Sequence, residues 1–539
     1  MAGWTQHRAK PAEGNGALAM TTMAKGGLNL KDLPEFLDPE FALINENFFV
    51  ANNRGLSKRK GLIKATEVAG GYPVTMFEEW KGYYMFAYNK TLAAYNPTTN
   101  SVITIKSDWA TSDPFSGAAY GDYFFVGNLG NKINYITETV GVFVATEIAA
   151  APQSGCIKAV GPRLYAAVGD SVVYCDVDSG SNPPFNTWTV ATIATSGGKV
   201  SFRNAGTVNA IASLGDIIIA FGDTGKFAFR LVTQADGTGT TIKIEEVVID
   251  RIDMGGASGA ITTSKGVFYV NSAGLWQITA LGQPNIAWSD QEHLTTINLG
   301  TEYFDDVDLS NCDLAYYTKF STILVTCAKQ STRNNHVIAF NVDMRAVSTF
   351  RNWNINRWMT IGNDVYGASS IKTALYHCFA GFTDDGVAIS VRYKQELKLM
   401  TGTGKKRYPV PLWNRQMFMG GYIKGFLHQL SVVKVVFDIY NRLGETETNK
   451  LKLDWTPQSN NNTSDGWGTA EWGTSSWGGD IDSSGLIESF GGNRRFIRNF
   501  QRIILNINEN SKLPLEVDWV TIESQPKGPI RRRDMTLAT

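Results

Sequence analysis

Reactive and metal-binding residues are scarce in this chain. Its five cysteines, at 156, 175, 312, 327 and 378, are odd in number and widely spaced among 539 residues. There is no Cys-x-x-Cys pair, and the five histidines do not cluster. A disulfide framework and a structural zinc site are both disfavoured, and no cofactor is expected. The cysteines lie in apolar runs and read as reduced core thiols of a protein that folds in a cytoplasm. Long apolar runs are missing too: nowhere do about 18 apolar residues follow one another. The first residues, MAGWTQHRAKPAEGNGALAMTTMAKGG, are basic but have no apolar core. The expectation is a chain that is neither Sec-exported nor membrane-spanning. Nor is there an excess of charge of one sign, since 50 Lys and Arg balance 50 Asp and Glu. Bulk attraction to nucleic acid or to an anionic membrane is therefore excluded, and any such contact must be local.

Catalytic signatures are equally thin. GDTGK at Gly222 to Lys226 has the look of a phosphate loop but lacks the required spacing, and Phe227 follows the lysine; it reads as a hairpin turn. FDDVDLSNCD, from Phe304, lacks the glycine and distal glutamate of a calcium loop and reads as a solvated loop. His377 and Cys378 are adjacent, so in a strand they face opposite ways and cannot form a dyad. Paired carboxylates that meet only in space leave no trace at this level.

Short apolar runs broken by glycine turns, in contrast, are plentiful. WKGYYMFAYNKTLAAYN, AYGDYFFVGNLGNKINYIT, LGDIIIAFGDTGKFAFRLV and SKGVFYVNSAGLWQIT share this form within a stretch from about Trp80 to Val391. Runs such as Tyr83 to Ala87, Tyr123 to Val126, Ile217 to Phe221 and Val267 to Val270 are too short for helices and too apolar for one-sided strands. They read as strands buried on both faces, joined as hairpins by residues that accept positive φ. The copies start roughly 40 to 55 residues apart, the period of β-propeller blades. The fold expected is all-β: a propeller of about seven blades, with six or eight also compatible, and Tyr83 to Ala87 and Ile217 to Phe221 as inner strands. A β-sandwich or solenoid is the alternative.

Residues 1–25 carry no apolar period and read as a flexible arm, and 26–75 as the first part of a sandwich-like platform. The propeller is assigned to 76–394, and 395–539 to the rest of the platform, after polar, proline-containing linker chemistry between about 391 and 415. Asp38 to Asn47, with Asp-Pro at its start and Phe41, Ile44 and Phe48 at helical spacing, predicts one short helix. In HQLSVVKVVFDIY, Val433, Val435, Phe437 and Ile439 share a strand face, with Lys434 and Asp438 opposite.

Three Trp-Gly pairs in DGWGTAEWGTSSWGGD place Trp467, Trp472 and Trp477 five residues apart. Five is odd, so no single strand face collects all three rings. The glycine-rich setting reads as a loop with aromatic anchors for a neighbouring chain; core capping and a sugar-stacking platform are the alternatives. The basic runs Lys58-Arg59-Lys60, Lys405 to Arg407, Arg494 to Arg498 and Arg531 to Arg533 are candidates for contacts with DNA phosphates or acidic partner patches.

A GGLN opening, an L-x-P-x-x-A-x-x-x-x-N segment and L-x-x-R-x-G, here Gly26 to Asn29, Leu37, Pro39, Ala42, Asn47, Leu56, Arg59 and Gly61, resemble the amino termini of short-tailed bacteriophage tail proteins. The Trp-rich segment and the closing VDWVTIESQPKGPIRRR resemble the end of the same family, the tail nozzle or hub proteins beneath the portal. The resemblance implies a non-enzymatic virion protein made in the host cytoplasm. It implies a ring of six copies docked on a head-to-tail adaptor, a channel through which genomic DNA passes unread, and an attachment surface for tail fibres or spikes. A β-propeller that binds or degrades glycans is the alternative function.

Overall fold

The computed structural model describes residues 17–22, 26–32, 41–50, 56–175, most of 197–397 and, beyond these, the strands between 400 and 529. The longer stretches outside the described residues are 1–16, 33–40, 176–187, 189–196, 251–258, 280–290, 402–407, 441–450, 456–485, 492–498 and 530–539. The chain divides into two compact units: 61–345 with 349–385, and 1–60 with 346–348 and 386–539.

The first unit is a β-propeller. Its first blade is the antiparallel meander Val74–Trp80, Tyr83–Tyr88, Thr91–Asn96 and Ser101–Lys106. The second is Ser116–Tyr120, Tyr123–Asn128, Asn131–Thr139 and Val142–Glu147. Ile157–Val160, Arg163–Val168, Ser171–Tyr174 and Gly198–Ser201 make the third. Val208–Leu214, Ile217–Gly222, Lys226–Ala235 and Thr240–Val247 make the fourth. The fifth is Ala260–Thr263, Gly266–Asn271, Gly274–Ile278 and Gln291–His293. In the sixth, Leu314–Tyr317, Thr322–Lys329 and His336–Asn341 pair in order, and the chain continues into Ala346–Arg351. The seventh takes Ile355–Ile361, Asp364–Ser369 and Ala374–Cys378 from its own segment, but its last strand, Leu62–Glu67, comes from the other end of the unit.

The first strand of each blade neighbours the first strand of the next, and Ile355–Ile361 neighbours Val74–Trp80. There, Asn356 Nδ2 donates to the Val74 carbonyl at 2.6 Å and Arg357 Nε to that of Thr75 at 3.0 Å. The ring is thus closed with seven blades among the described residues, and a strand early in sequence locks the last blade. Tyr83–Tyr88 and Ile217–Gly222, expected as inner strands, are second from the axis; the more polar strands before them, Val74–Trp80 and Val208–Leu214, line it.

Burial on both faces has a direct cause. Phe124 packs with Trp80, Met85 and Ile136 between the first and second blades, while its neighbour Phe125 packs with Ile157 and Leu164 between the second and third. Ile218 and Ile219 divide in the same way between the two interfaces of the fourth blade. Successive side chains of a strand point to opposite faces, and in a blade each face meets a neighbour.

The second unit contains two groups of antiparallel strands. One runs Leu486–Gly491, Asn414–Leu427, Leu515–Pro529, Leu56–Lys58 and Phe48–Val50, with Ala17–Thr22 also paired to Leu515–Pro529. The other runs Ile44–Glu46, Val387–Leu397, Arg502–Ser511, Val433–Tyr440 and Leu451–Trp455. Phe48 of the first group meets Tyr393 of the second edge to face, with ring centroids 6.0 Å apart.

Several expectations are corrected. The short helix is replaced, over its described part, by strands Phe41–Ala42, Ile44–Glu46 and Phe48–Val50; Glu46 pairs with Arg392, and Asn47 turns at φ 61. Apolar residues at helical spacing there serve successive short strands, whose backbone bonds come from distant partners. The arm expected over 1–25 includes strand Ala17–Thr22, held by backbone pairing that needs no apolar period. The expected boundaries after 75 and 394 move to 60/61 and 385/386, because Leu62–Glu67 completes a blade and Val387–Leu397 is a platform strand. Val433 and Val435 are buried and Lys434 exposed as expected, but Asp438 is buried as well, accepting from Asn506 Nδ2 at 2.9 Å.

Candidate functional site

The residues that carry the phage-tail resemblance hold strands together. Gly27 sits at φ 72, and a Cβ there would lie 2.4 Å from the Val347 carbonyl oxygen. Asn29 donates its backbone N–H to Ala42 O at 2.9 Å, while its side-chain oxygen accepts from the N–H groups of Lys31 and Asp32. Ala42 and Leu56 are buried. Asn47 Nδ2 donates to Ser390 O at 2.6 Å, and its Oδ1 accepts from Arg59 Nε at 2.9 Å. In the propeller unit, a Cβ on Gly61 would approach the Thr383 carbonyl oxygen to 1.9 Å, so only glycine fits. Leu37 and Pro39 lie outside the described residues.

The candidate interface residues fare differently. Trp467, Trp472 and Trp477 lie outside the described residues. Lys58 and Arg59 are buried, which corrects their reading as partner-facing; Lys60 alone of the three is exposed. Lys58 Nζ reaches Glu509 Oε2 and Ser511 O, both at 2.7 Å. Alternation along Leu56–Lys58 turns Lys58 inward with Leu56, where a carboxylate from a distant strand meets it.

A site that the sequence did not reveal lies at the propeller axis. Glu78 is on the innermost strand of the first blade, Lys158 on that of the third, and Asp313 directly precedes that of the sixth. Glu78 feels the charges of Lys158 and Asp313, and Asp313 that of Lys158, which blades so far apart in the ring permit only across the axis. Glu78 is open to water yet ringed by protein, and this desolvation pushes its carboxyl up to about 7, against the pull of Lys158 and with Asp313 adding to the rise. Burial likewise raises Asp313, against Arg357 and two backbone donors, Leu314 N at 3.0 Å and Trp358 N at 2.7 Å. Arg357 spends its donors on Thr75 O, Asn356 O and Asn311 Oδ1. Glu78 is therefore a carboxyl drawn up toward neutral pH, the range in which such a group can exchange a proton. Lys158 lies 80 positions after Glu78 and Asp313 a further 155 on, and ring closure alone unites them.

Burial raises Cys156 to about 11 and lowers His336 to about 3, and His336 bonds the Tyr303 hydroxyl at 3.0 Å inside the sixth blade. All five cysteines are free thiols. Gly222 to Lys226 forms the expected hairpin turn, with Gly222 N bonded to Gly225 O at 2.8 Å. His377 stacks on Tyr366 at 4.8 Å, while Cys378 is buried on the other face. Among the described residues, no three His, Cys, Asp or Glu side chains gather as a metal site, and no helix is long and apolar enough to cross a membrane.

The fold defines the class: a seven-bladed β-propeller, among the described residues, whose sequence lies between the segments of a β platform. No protein family matches the chain, and neither does any curated protein sequence. Among solved structures, it is similar to the WD40 repeats of RRP9, at 8% identity and TM-score 0.40 over 60% of this chain and 99% of that one. It is similar to U3-55K at 8% identity and TM-score 0.39, over 59% and 98% of the two chains. An extracellular domain of the putative hybrid two-component system BT4673 from B. thetaiotaomicron gives 12% identity and TM-score 0.39, over 67% and 43%.

Proposed function

We propose that this chain is a structural protein of a short-tailed phage tail, forming a ring, six copies by the resemblance, below the adaptor and portal. The ring gives the genome its exit channel and offers tail fibres or spikes a surface. The observation that carries this reading is that the described residues of the resembling motif serve to build the fold, Asn47 and Arg59 bonding each other at 2.9 Å within the platform. A motif that specifies an assembly part is expected to be spent on architecture. The test is native mass of the purified protein alone and mixed with adaptor and portal: a closed oligomer that joins the adaptor supports the reading, and a monomer indifferent to both overturns it. A propeller that binds or cleaves glycans is the second reading, favoured by the axial carboxyls Glu78 and Asp313. Binding or turnover on a polysaccharide panel that Glu78→Gln abolishes would establish it instead.

A further inference from the structure

The platform carries a cleft of ≈ 210 Å³ on one face of its second strand group. In the ladder between Val387–Leu397 and Arg502–Ser511, Arg392 stands opposite Asn508, and Lys394 opposite Asn506. On the far side Asn506 faces Val436, and on the near side Lys394 faces Ile44. Directly opposed side chains in an antiparallel pair start about 5 Å apart, so these groups bear on one small volume.

Their bonding is uneven. Asn506 Nδ2 is committed to Asp438 Oδ2 at 2.9 Å and, more loosely, to Val436 O at 3.4 Å. Arg392 reaches Glu46 only at 3.5 Å, and its side chain is 49% exposed. Among the described residues, the Lys394 ammonium has no ion pair and the Asn508 amide no hydrogen bond. Asp438, which also lines the cleft, pairs with Ile504, two residues along from the Lys394 and Asn506 pair and further still from the Arg392 and Asn508 pair, and already takes the Asn506 amide. The cleft thus has an end where two cations and an amide donor converge, with the wall carboxylate set back from it.

We infer that this end of the cleft is an oxyanion site, which takes a phosphate or carboxylate group between Lys394, Arg392 and Asn508. The guanidinium fork and the ammonium supply charge-assisted bonds, the amide a third donor, and Ile44 and Val436 apolar walls. The site is independent of the virion reading, since it requires only the platform fold.

Isothermal titration calorimetry on the full chain tests it, with inorganic phosphate in one arm, succinate in a second and sodium chloride at matched ionic strength as control. Saturable heat with phosphate, succinate or both, and none with chloride, is expected; the arm that saturates identifies the source of the oxyanion. Lys394→Gln and Arg392→Gln are each expected to weaken binding about tenfold or more while leaving the unliganded melting temperature unchanged. Absence of saturation in both arms, or unchanged affinity in both variants, overturns the inference.

Discussion

Lys58 and Glu509, 451 residues apart in sequence, form a fully buried ion pair at 2.7 Å inside the platform. It ties a strand from the start of the chain to one near its end, with Ser511 O taking a second Lys58 proton. Lys58→Met leaves a buried carboxylate without its cation and is expected to destabilise the platform by about 3–5 kcal/mol. The double variant Lys58→Met, Glu509→Leu removes both desolvation penalties and is expected to recover most of that loss. Urea unfolding followed by tryptophan fluorescence measures both; equal losses in the single and double variants would show that packing, not charge pairing, governs this spot.

The propeller's interfaces rest on side chains that alternate between neighbouring blades. Phe124→Ala opens a cavity between the first two blades where Trp80 and Met85 meet it, and is expected to lower stability by about 3–5 kcal/mol. Ile218→Asp places an unpaired charge between the third and fourth blades and is expected to abolish the folded propeller. Circular dichroism melts separate the two outcomes, and a folded Ile218→Asp protein would contradict the buried second strand.

Glu78 links stability to pH. Its folded-state pKa, raised to about 7, lies above its ordinary value of 4.5, so the folded protein holds a proton that the unfolded chain has released. The contribution is full below pH 4.5, falls as pH rises and is gone above about 7. Glu78→Gln, which cannot ionise, is expected to flatten the melting-temperature profile between these limits and to stabilise the protein at pH 8. Parallel profiles for the two proteins would show that the surrounding protein does not hold this carboxyl above its ordinary range.

Closure by Leu62–Glu67 makes the seventh blade depend on a strand from the front of the unit. Proline at both Ile63 and Lys64, which breaks the strand's backbone pairing, is expected to leave Ala374–Cys378 with an open edge, and to convert a cooperative melt into a broad transition with aggregation. Calorimetry and light scattering read this directly; a sharp, reversible melt would show that six complete blades hold the ring alone.

The proposed assembly makes its own demand. Replacing Trp467, Trp472 and Trp477 together by Ala is expected to weaken ring formation or adaptor docking, about 2 kcal/mol or more per buried ring, while the propeller still melts cooperatively. Unchanged assembly in analytical ultracentrifugation would return these residues to the other uses open to them, core capping or sugar stacking.

Much of the propeller is legible in the chain because its cause is local. A doubly apolar run such as Ile217 to Phe221, bounded by turn residues, admits few structures other than a strand covered on both sides, and repetition then implies stacking and closure. The Asp38 to Asn47 segment misleads for the converse reason: Phe41, Ile44 and Phe48 have helical spacing, but the backbone partner that decides for a strand, Arg392 beside Glu46, lies hundreds of residues away. The burial of Lys58 has the same origin, since a basic run in isolation is a solvated surface, and only the carboxylate of Glu509 makes the interior tenable.

By itself, then, the sequence determined the all-β class, the blade period, the doubly buried strands and the free cysteines, because each depends on side-chain alternation and turn chemistry within a few residues. The tertiary structure alone decided that seven blades close, that an early strand completes the last of them, and that Glu78, Lys158 and Asp313 come within electrostatic reach of one another. Those outcomes depend on backbone edges and charges that find partners only when distant segments are brought together. Long-range pairing leaves no periodic mark along the chain.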